Sequence, residues 1–367
     1  MSSEKITSSE VPLLFKNSLH WNILNWSVDE WNYFLNDSSV KYPFRVGSRL
    51  CSLEPQWERS CEIANMTFSD FFKKFNEENN LKNWWYFDYK HIEEWLSGKA
   101  DKMDINWKDF GHPEITAKGS TLWIGTKGAH TPCHVDTYGC NLVAQLYGKK
   151  RWFLFPPSET NNLKPTRVPY EESSVYSQIN FSCGCSDFSA IANIYMVDLE
   201  PGDVLFVPFH WWHYVENLSS AISVNTWIPC KRDEICRVEE SLVKYFIASV
   251  CKNVSPEELK FILNPNEDDL PDSDEIRNLQ ELSWCLNHCS ERENKVSHNN
   301  DSENNVEITK ITSDVLIEFL KLKCKENYGV VNRSVNNNLI RNNVINAFCN
   351  PEVITLVRKK LLNSQLS

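Results

Sequence analysis

Thr131-Pro-Cys-His-Val-Asp136 is the stretch whose reading decides the rest of the chain. Successive side chains of a β-strand point to opposite faces, so residues two apart share one. His134 and Asp136 therefore aim an imidazole and a carboxylate at a common point. A third donor comes from Phe209-His-Trp-Trp-His213, whose last histidine completes a set of two imidazoles and one carboxylate. That set, with the remaining positions open, is the facial arrangement of a mononuclear ferrous centre that handles O₂. Two other histidines are set aside. His130 stands at a helical spacing from His134, but the intervening Thr131-Pro132 argues against a helix. His210 would face away from His213 on a strand.

Outward from this stretch, between Leu122 and Pro229, short β-branched and aromatic runs alternate with Gly, Pro and polar clusters. This is how an all-β double sheet reads. Strands are expected near 121–125, 133–137, 141–147, 151–155, 194–199, 204–208, 212–216 and 221–228. The stretch 158–193 reads as a long insert with few regular signals, of the kind that borders a substrate entrance. Upstream, Val11-Pro-Leu-Leu-Phe15 can supply an edge strand, and Ser27-Val-Asp-Glu30 fits a capping box that opens a helix. Thr67-Phe-Ser-Asp70 opens another, with Phe68, Phe71, Phe72 and Phe75 facing the core. His91–Leu96 reads as a short helix, and Tyr86 and Tyr89 read as packing residues.

After Pro229 the signals turn helical. One helix is expected over about 233–252, with Ile235, Val238, Leu242, Tyr245 and Ser249 as its stripe. Another starts at Ser255-Pro-Glu-Glu258, a third carries Val315, Phe319 and Leu322, and 338–364 is a further helical region. Residues 291–307, rich in Asn, Glu and Ser, read as a disordered linker. The expected organisation is a helical and β flank at 1–115, a β core at 116–230 and a helical region at 231–367. That last region either packs on the core or offers a surface for a partner or a homodimer.

Leu122-Trp-Ile-Gly125, Asn141-Leu-Val-Ala-Gln-Leu-Tyr-Gly148, Lys149-Lys-Arg-Trp-Phe-Leu-Phe-Pro-Pro157 and Pro201-Gly-Asp-Val-Leu-Phe-Val-Pro208 surround the ligand segments. In that order they resemble the JmjC family of 2-oxoglutarate-dependent oxygenases, strongly from about Gly119 to Trp227. Tyr170-Glu-Glu-Ser-Ser-Val175 and His210-Trp-Trp-His-Tyr-Val-Glu216 are similar to the branch of that family associated with small heat-shock proteins. The resemblance implies a mainly β catalytic core, the double-stranded β-helix or jelly-roll of the cupin class, flanked by N-terminal and C-terminal helices. It also implies Fe(II) on His134, Asp136 and His213, with 2-oxoglutarate as cosubstrate and O₂ as oxidant.

The far carboxylate of such a cosubstrate needs a cation and a hydroxyl. Composition does not choose among Lys149, Lys150 and Arg151. In the related asparaginyl hydroxylases the lysine stands just before the Arg that opens the aromatic strand, which is the position of Lys150. Strand alternation also groups Lys150 with Trp152 and Leu154. Thr131 matches the family's hydroxyl donor, and Asn141 and Asn225 match polar positions of its cosubstrate pocket. Trp211 and Trp212 are expected to wall the site. The implied reaction is hydroxylation of a protein substrate. Demethylation of N-methyl-lysine begins with the same step, and the core motifs do not separate the two. The same branch implies an alternative in which the chain acts as a binding partner of small heat-shock proteins without turnover.

The totals fit this frame. With 14 Trp and 19 Phe among 367 residues, the chain can bury a sizeable core. A net charge of −11 disfavours nucleic acid, whose phosphates need clustered cations. Thirteen cysteines without a repeating framework or a leader read as reduced thiols in the cytoplasm or nucleus. Cys183-Gly-Cys185 has no second pair at zinc spacing. No run approaches membrane-spanning length.

Overall fold

The computed structural model describes residues 6–52, 54–77, 82–182, 184, 186–290, 308–326, 330–331 and 339–364. The chain opens with strand β1 (Leu13–Phe15), helix α1 (Val28–Leu35), strands β2 (Tyr42–Ser48) and β3 (Glu62–Met66), helix α2 (Phe68–Asn76) and strand β4 (Asn83–His91). Then come β5 (Thr121–Gly125), β6 (His130–Asp136), β7 (Cys140–Tyr147), β8 (Lys150–Phe155), β9 (Pro165–Glu171) and β10 (Ser174–Ser177). The β region ends with β11 (Ile194–Leu199), β12 (Val204–Val207), β13 (Trp212–Asn217) and β14 (Ala221–Ile228). Helices α3 (Asp233–Cys251), α4 (Pro256–Ile262) and α5 (Glu275–His288) follow, then strand β15 (Thr309–Ile311) and helices α6 (Ser313–Glu326), α7 (Leu339–Phe348) and α8 (Pro351–Ser364).

Two antiparallel sheets carry the architecture, in the orders β1-β12-β7-β14-β5-β4-β2-β3 and β9-β10-β6-β13-β8-β11-β15. The eight strands expected between 121 and 228 are all present, four in each sheet. Three apolar layers hold them. Val143, Leu205, Leu154 and Val215 fill the space between the sheets. Phe44, Leu122 and Leu142 on the far face of the first sheet pack on Trp31 of α1 and Phe68, Phe71 and Phe72 of α2. Val135, Phe153 and Tyr214 on the far face of the second pack on Leu316 and Leu320 of α6. Alternation then does the positioning: with Cys133 and Val135 in the outer layer, His134 must face the other way, between the sheets.

The helix-start signals in the sequence correspond to real caps. Ser27 and Glu30 form the reciprocal capping box of α1, and Thr67 and Ser255 cap α2 and α4. Ser27→Ala is expected to cost about 1 kcal/mol, read as a lowered urea midpoint at unchanged slope.

Several expectations need correction. The stretch 158–193 is not an irregular insert: it contributes β9 and β10, which extend the second sheet beside β6. Strand β9 is buried along almost its whole length, against α3, α4 and α7, so it shows no alternation. Strands β2, β3 and β4, not expected from the sequence, widen the first sheet. In α6 the buried line is Leu316 and Leu320, while Val315 and Leu322 are exposed. In α3 the buried line runs on through Val243 and Ile247, and Ser249 is exposed. Cys51 is disulfide-bonded rather than reduced. Residues 291–307, Cys183 and Cys185 lie outside the described residues. Among the described residues no helix is long and apolar enough to cross a membrane.

Candidate active site

Between the two sheets lies a cavity of about 310 Å³. His134 on β6 stands directly across from His213 on β13, with ring centroids 4.2 Å apart. Together with Asp136 they bring one donor atom each to within 4.8 Å of one another, the one such group of His, Cys, Asp or Glu found among the described residues. His134 Nδ1 donates to the carbonyl of Pro132 at 2.9 Å, and His213 Nδ1 donates to that of Trp211 at 3.0 Å. A carbonyl can only accept, so Nδ1 of each ring carries a proton and Nε2 of each ring is turned into the cavity. Burial, with His134 beside it, lowers His213 to about 4, so this imidazole is neutral, the ligating form. Burial alone would raise the Asp136 carboxyl. The hydrogen bonds from His134 and from the Trp227 indole hold it well below the usual carboxylate range. Burial works against a charge on His134, but the Asp136 hydrogen bond and charge raise its pKa on balance. Two oriented imidazoles beside an ionised carboxylate are a donor set that fits Fe(II).

Lys150 on β8 lies in the same cavity, only 2% exposed. Its Nζ donates to Ser223 Oγ at 2.6 Å and to the Tyr86 hydroxyl at 3.2 Å, and Tyr86 in turn shares a hydrogen bond with Thr131. Among the described residues no carboxylate lies within ion-pair distance of Lys150. Burial lowers its pKa from 10.5 to about 7. A buried lysine ringed by hydroxyls and lacking an anion fits a carboxylate ligand. Its neighbours in sequence are engaged elsewhere: Lys149 pairs with Glu200 at 2.6 Å and Arg151 with Asp198 at 2.7 Å.

A family model for a cupin-like domain matches residues 1–231. This chain belongs to the cupin-like JmjC family. It is 40% identical over 315 residues to the HSPB1-associated protein 1 homolog of Danio rerio, covering 79% of this chain and 69% of that protein. To HSPB1-associated protein 1 of Homo sapiens it is 39% identical over 304 residues, covering 78% of this chain and 60% of that protein. Against the Jumonji C domain-containing protein 5 of Drosophila melanogaster it is 28% identical over 228 residues, covering 59% of this chain and 54% of that protein. The chain thus spans about 60% of the length of its human relative. The JmjC family generally comprises 2-oxoglutarate-dependent oxygenases.

Within this JmjC cavity the two asparagines stand one step back from the triad. Trp123 Nε1 donates to Asn225 Oδ1 at 2.7 Å, and Asn225 Nδ2 to Asn141 Oδ1 at 2.9 Å. Asn141 Nδ2 then donates to Asp136 Oδ2 at 3.2 Å, where Trp227 Nε1 also arrives at 3.0 Å. The chain pins one carboxylate oxygen and leaves Oδ1 turned toward His134. Outer partners of this kind set ligand orientation. Asn225→Ala is accordingly expected to weaken Fe(II) binding about ten- to a hundredfold, measured by anaerobic equilibrium dialysis.

The remaining candidates sort themselves by face. His130 donates from Nδ1 to the Gly128 carbonyl at 3.0 Å, and His210 lies against Cys236; neither joins the triad. Trp211 packs between the sheets and Trp212 on the outer face, so the indoles that wall the cavity are Trp123, Trp152 and Trp227 instead. Tyr86 packs by its ring, as its sequence context suggests, yet its hydroxyl meets Lys150. Tyr89 and Glu171, which sequence reasoning did not place here, also line the cavity. The alternation Trp84, Tyr86, Asp88 was the available signal for a strand with one polar face.

Proposed function

We propose that this chain is an Fe(II)- and 2-oxoglutarate-dependent oxygenase, and specifically a protein hydroxylase. His134, Asp136 and His213 hold the metal, and Lys150 with Thr131 receives the far carboxylate of the cosubstrate. The observation that carries this reading is the pairing of two features in one cavity: three convergent donors and a buried lysine without an anion. The bound groups supply the oxidant: 2-oxoglutarate and O₂ give succinate and CO₂, with one oxygen atom in succinate and the other in a substrate C–H bond.

The residues of the chain set the conditions for that chemistry. The two Nδ1–H to carbonyl bonds orient each imidazole with Nε2 toward the metal position. The Asn141 and Trp227 donors hold Asp136 in one orientation. Lys150, anchored by Ser223, sets the end of the cavity at which a dicarboxylate stops. Trp152, stacked at 28° on the His213 ring with centroids 5.5 Å apart, keeps water from that side of the ligand.

A second reading rests on the relatives. Two of them carry the name HSPB1-associated protein 1 or its homolog, which supports association with a small heat-shock protein, with or without turnover. An anaerobic titration of the metal-free chain with Fe(II) and then 2-oxoglutarate separates the two. The oxygenase reading expects the visible charge-transfer absorption of a chelated keto acid, lost in His134→Ala. No absorption from folded protein would leave the association reading in its place.

A further inference from the structure

Beside the triad the chain passes from one sheet to the other through Thr137-Tyr138-Gly139. Strand β6 before this connection belongs to the second sheet, and β7 after it belongs to the first. Asp136 is the last residue of β6 and Asn141 the second of β7, and the Asn141 amide reaches back to Asp136 Oδ2 at 3.2 Å. That bond therefore crosses from sheet to sheet. Strand β6 pairs with β10 and β13, and β7 with β12 and β14. Among the described residues no ladder joins β6 to β7 directly, so the span of the bond depends on how the connection is held.

It is held from both sides. Toward the second sheet, Thr137 N donates to the Ser173 carbonyl at 3.0 Å and the Tyr138 hydroxyl donates to Glu172 Oε1 at 3.0 Å. The His210 ring also hydrogen-bonds to the Thr137 backbone, from a turn in which His210 has φ 60, in the left-handed region. Toward the first sheet the anchor is Asp233, the first residue of α3 and only 6% exposed. Its Oδ1 accepts from the Gly139 amide at 2.8 Å and from Cys230 Sγ at 3.1 Å, and its Oδ2 accepts from the Cys230 amide at 3.0 Å. Cys230 lies just past β14, the neighbour of β7, so one carboxylate ties the connection to the strand beside Asn141. Arg237, a turn further along α3, covers the Tyr138 ring at 5.2 Å. Gly139 itself has φ 66, and a Cβ there would meet the Ile228 carbonyl oxygen at 2.7 Å. Glycine is what lets its amide reach Asp233.

We propose that Asp233 is a positioning residue for the metal carboxylate: by holding the Gly139 amide it sets the span across which Asn141 reaches Asp136, and so the orientation in which Asp136 faces the metal. Helix α3 is then part of the site, although the family model that matches this chain ends at residue 231. The inference rests on the reading of His134, Asp136 and His213 as the metal triad. Outer partners of a ligand act on metal affinity, and Asp233 stands one step further out, behind Asn141.

The test measures Fe(II) affinity of the full chain by anaerobic equilibrium dialysis, with the visible bands of the Co(II)-loaded chain as a second readout. Asp233→Ser keeps a polar helix start but is one bond too short for Gly139. It is expected to weaken Fe(II) binding about tenfold and to change the Co(II) bands. Asp233→Asn keeps an oxygen for the Gly139 amide and is expected to retain most of the affinity. Gly139→Ala displaces the same connection from its other side; about the same loss is expected, and it carries the test if Asp233→Ser does not fold. Because the effect passes through Asn141, Asp233→Ser should add little to the loss in an Asn141→Ala chain. Glu240→Gln disrupts the Arg167 pair that also docks α3, and should lower the urea midpoint with Fe(II) affinity unchanged. Parent-like Fe(II) binding in folded Asp233→Ser or in Gly139→Ala, an Asn variant no better than the Ser one, full additivity with Asn141→Ala, or an equal loss in Glu240→Gln overturns the inference alone. A parent chain that binds no Fe(II) overturns the triad reading and the inference with it.

Discussion

Asp136→Ala is expected to lower Fe(II) affinity by at least about a hundredfold while the chain keeps its fold. Loss of a partner that merely orients a ligand weakens a metal site ten- to a hundredfold, and here an anionic ligand itself is removed. The two imidazoles left behind cannot neutralise a divalent ion. The fold survives for a different reason: Asp136 bridges no apolar layer, its neighbours Cys133 and Val135 do, and those are untouched. The Asn141 amide and the Trp227 indole lose their acceptor, but they line a cavity in which water can take its place. Circular dichroism and the urea midpoint should therefore stay close to the parent while anaerobic dialysis shows the metal lost. A variant that bound iron as well as the parent would show that this triad is not the metal site.

Much of the architecture could be read from the chain because its strands obey a simple rule. Where one face meets the inter-sheet layer and the other a helix, identity alternates or runs apolar, and turns are marked by Gly and Pro. That rule located β5 to β8 and β11 to β14, and with them the face on which His134, Asp136, Lys150 and His213 meet. It failed where prolines and buried charges replace the apolar run, as at Pro165, Arg167, Pro169 and Glu171. Strand β9 is covered by α3, α4 and α7, yet its sequence carries no apolar run and so reads as an insert. It failed again at Tyr89, because a bulge breaks the period on which any face assignment depends. The tryptophans show a third kind of limit: alternation sends Trp212 to the outer layer, and Trp211, though it packs between the sheets, does not line the cavity. The hydrogen-bonded chain from Trp123 to Asp136 spans residues far apart in sequence, and no local pattern carries it.

Lys150→Met is expected to reduce 2-oxoglutarate affinity about a hundredfold with Fe(II) binding unchanged. A hydrogen bond to a charged group contributes about 1.5–3 kcal/mol, and the anion stranded at the end of the cavity adds its own desolvation cost. The parent carries a proton signature that the variant lacks. In the ligand-free chain burial holds Lys150 near 7, against 10.5 for an exposed lysine. Between those values the unfolded chain keeps a proton that the folded chain has released, so this group makes stability rise with pH across that window. An arriving carboxylate restores the charge. Above neutral pH, binding must therefore take up a proton, approaching about one per site near pH 8, and the uptake must vanish below about pH 6, where the lysine is already charged. Calorimetry of the Fe(II)-loaded chain in buffers of different ionisation enthalpy measures this directly. Uptake at pH 8 that persists in Lys150→Met would mean that the proton goes to another group. Undiminished affinity in that variant would move the far carboxylate away from Lys150 altogether.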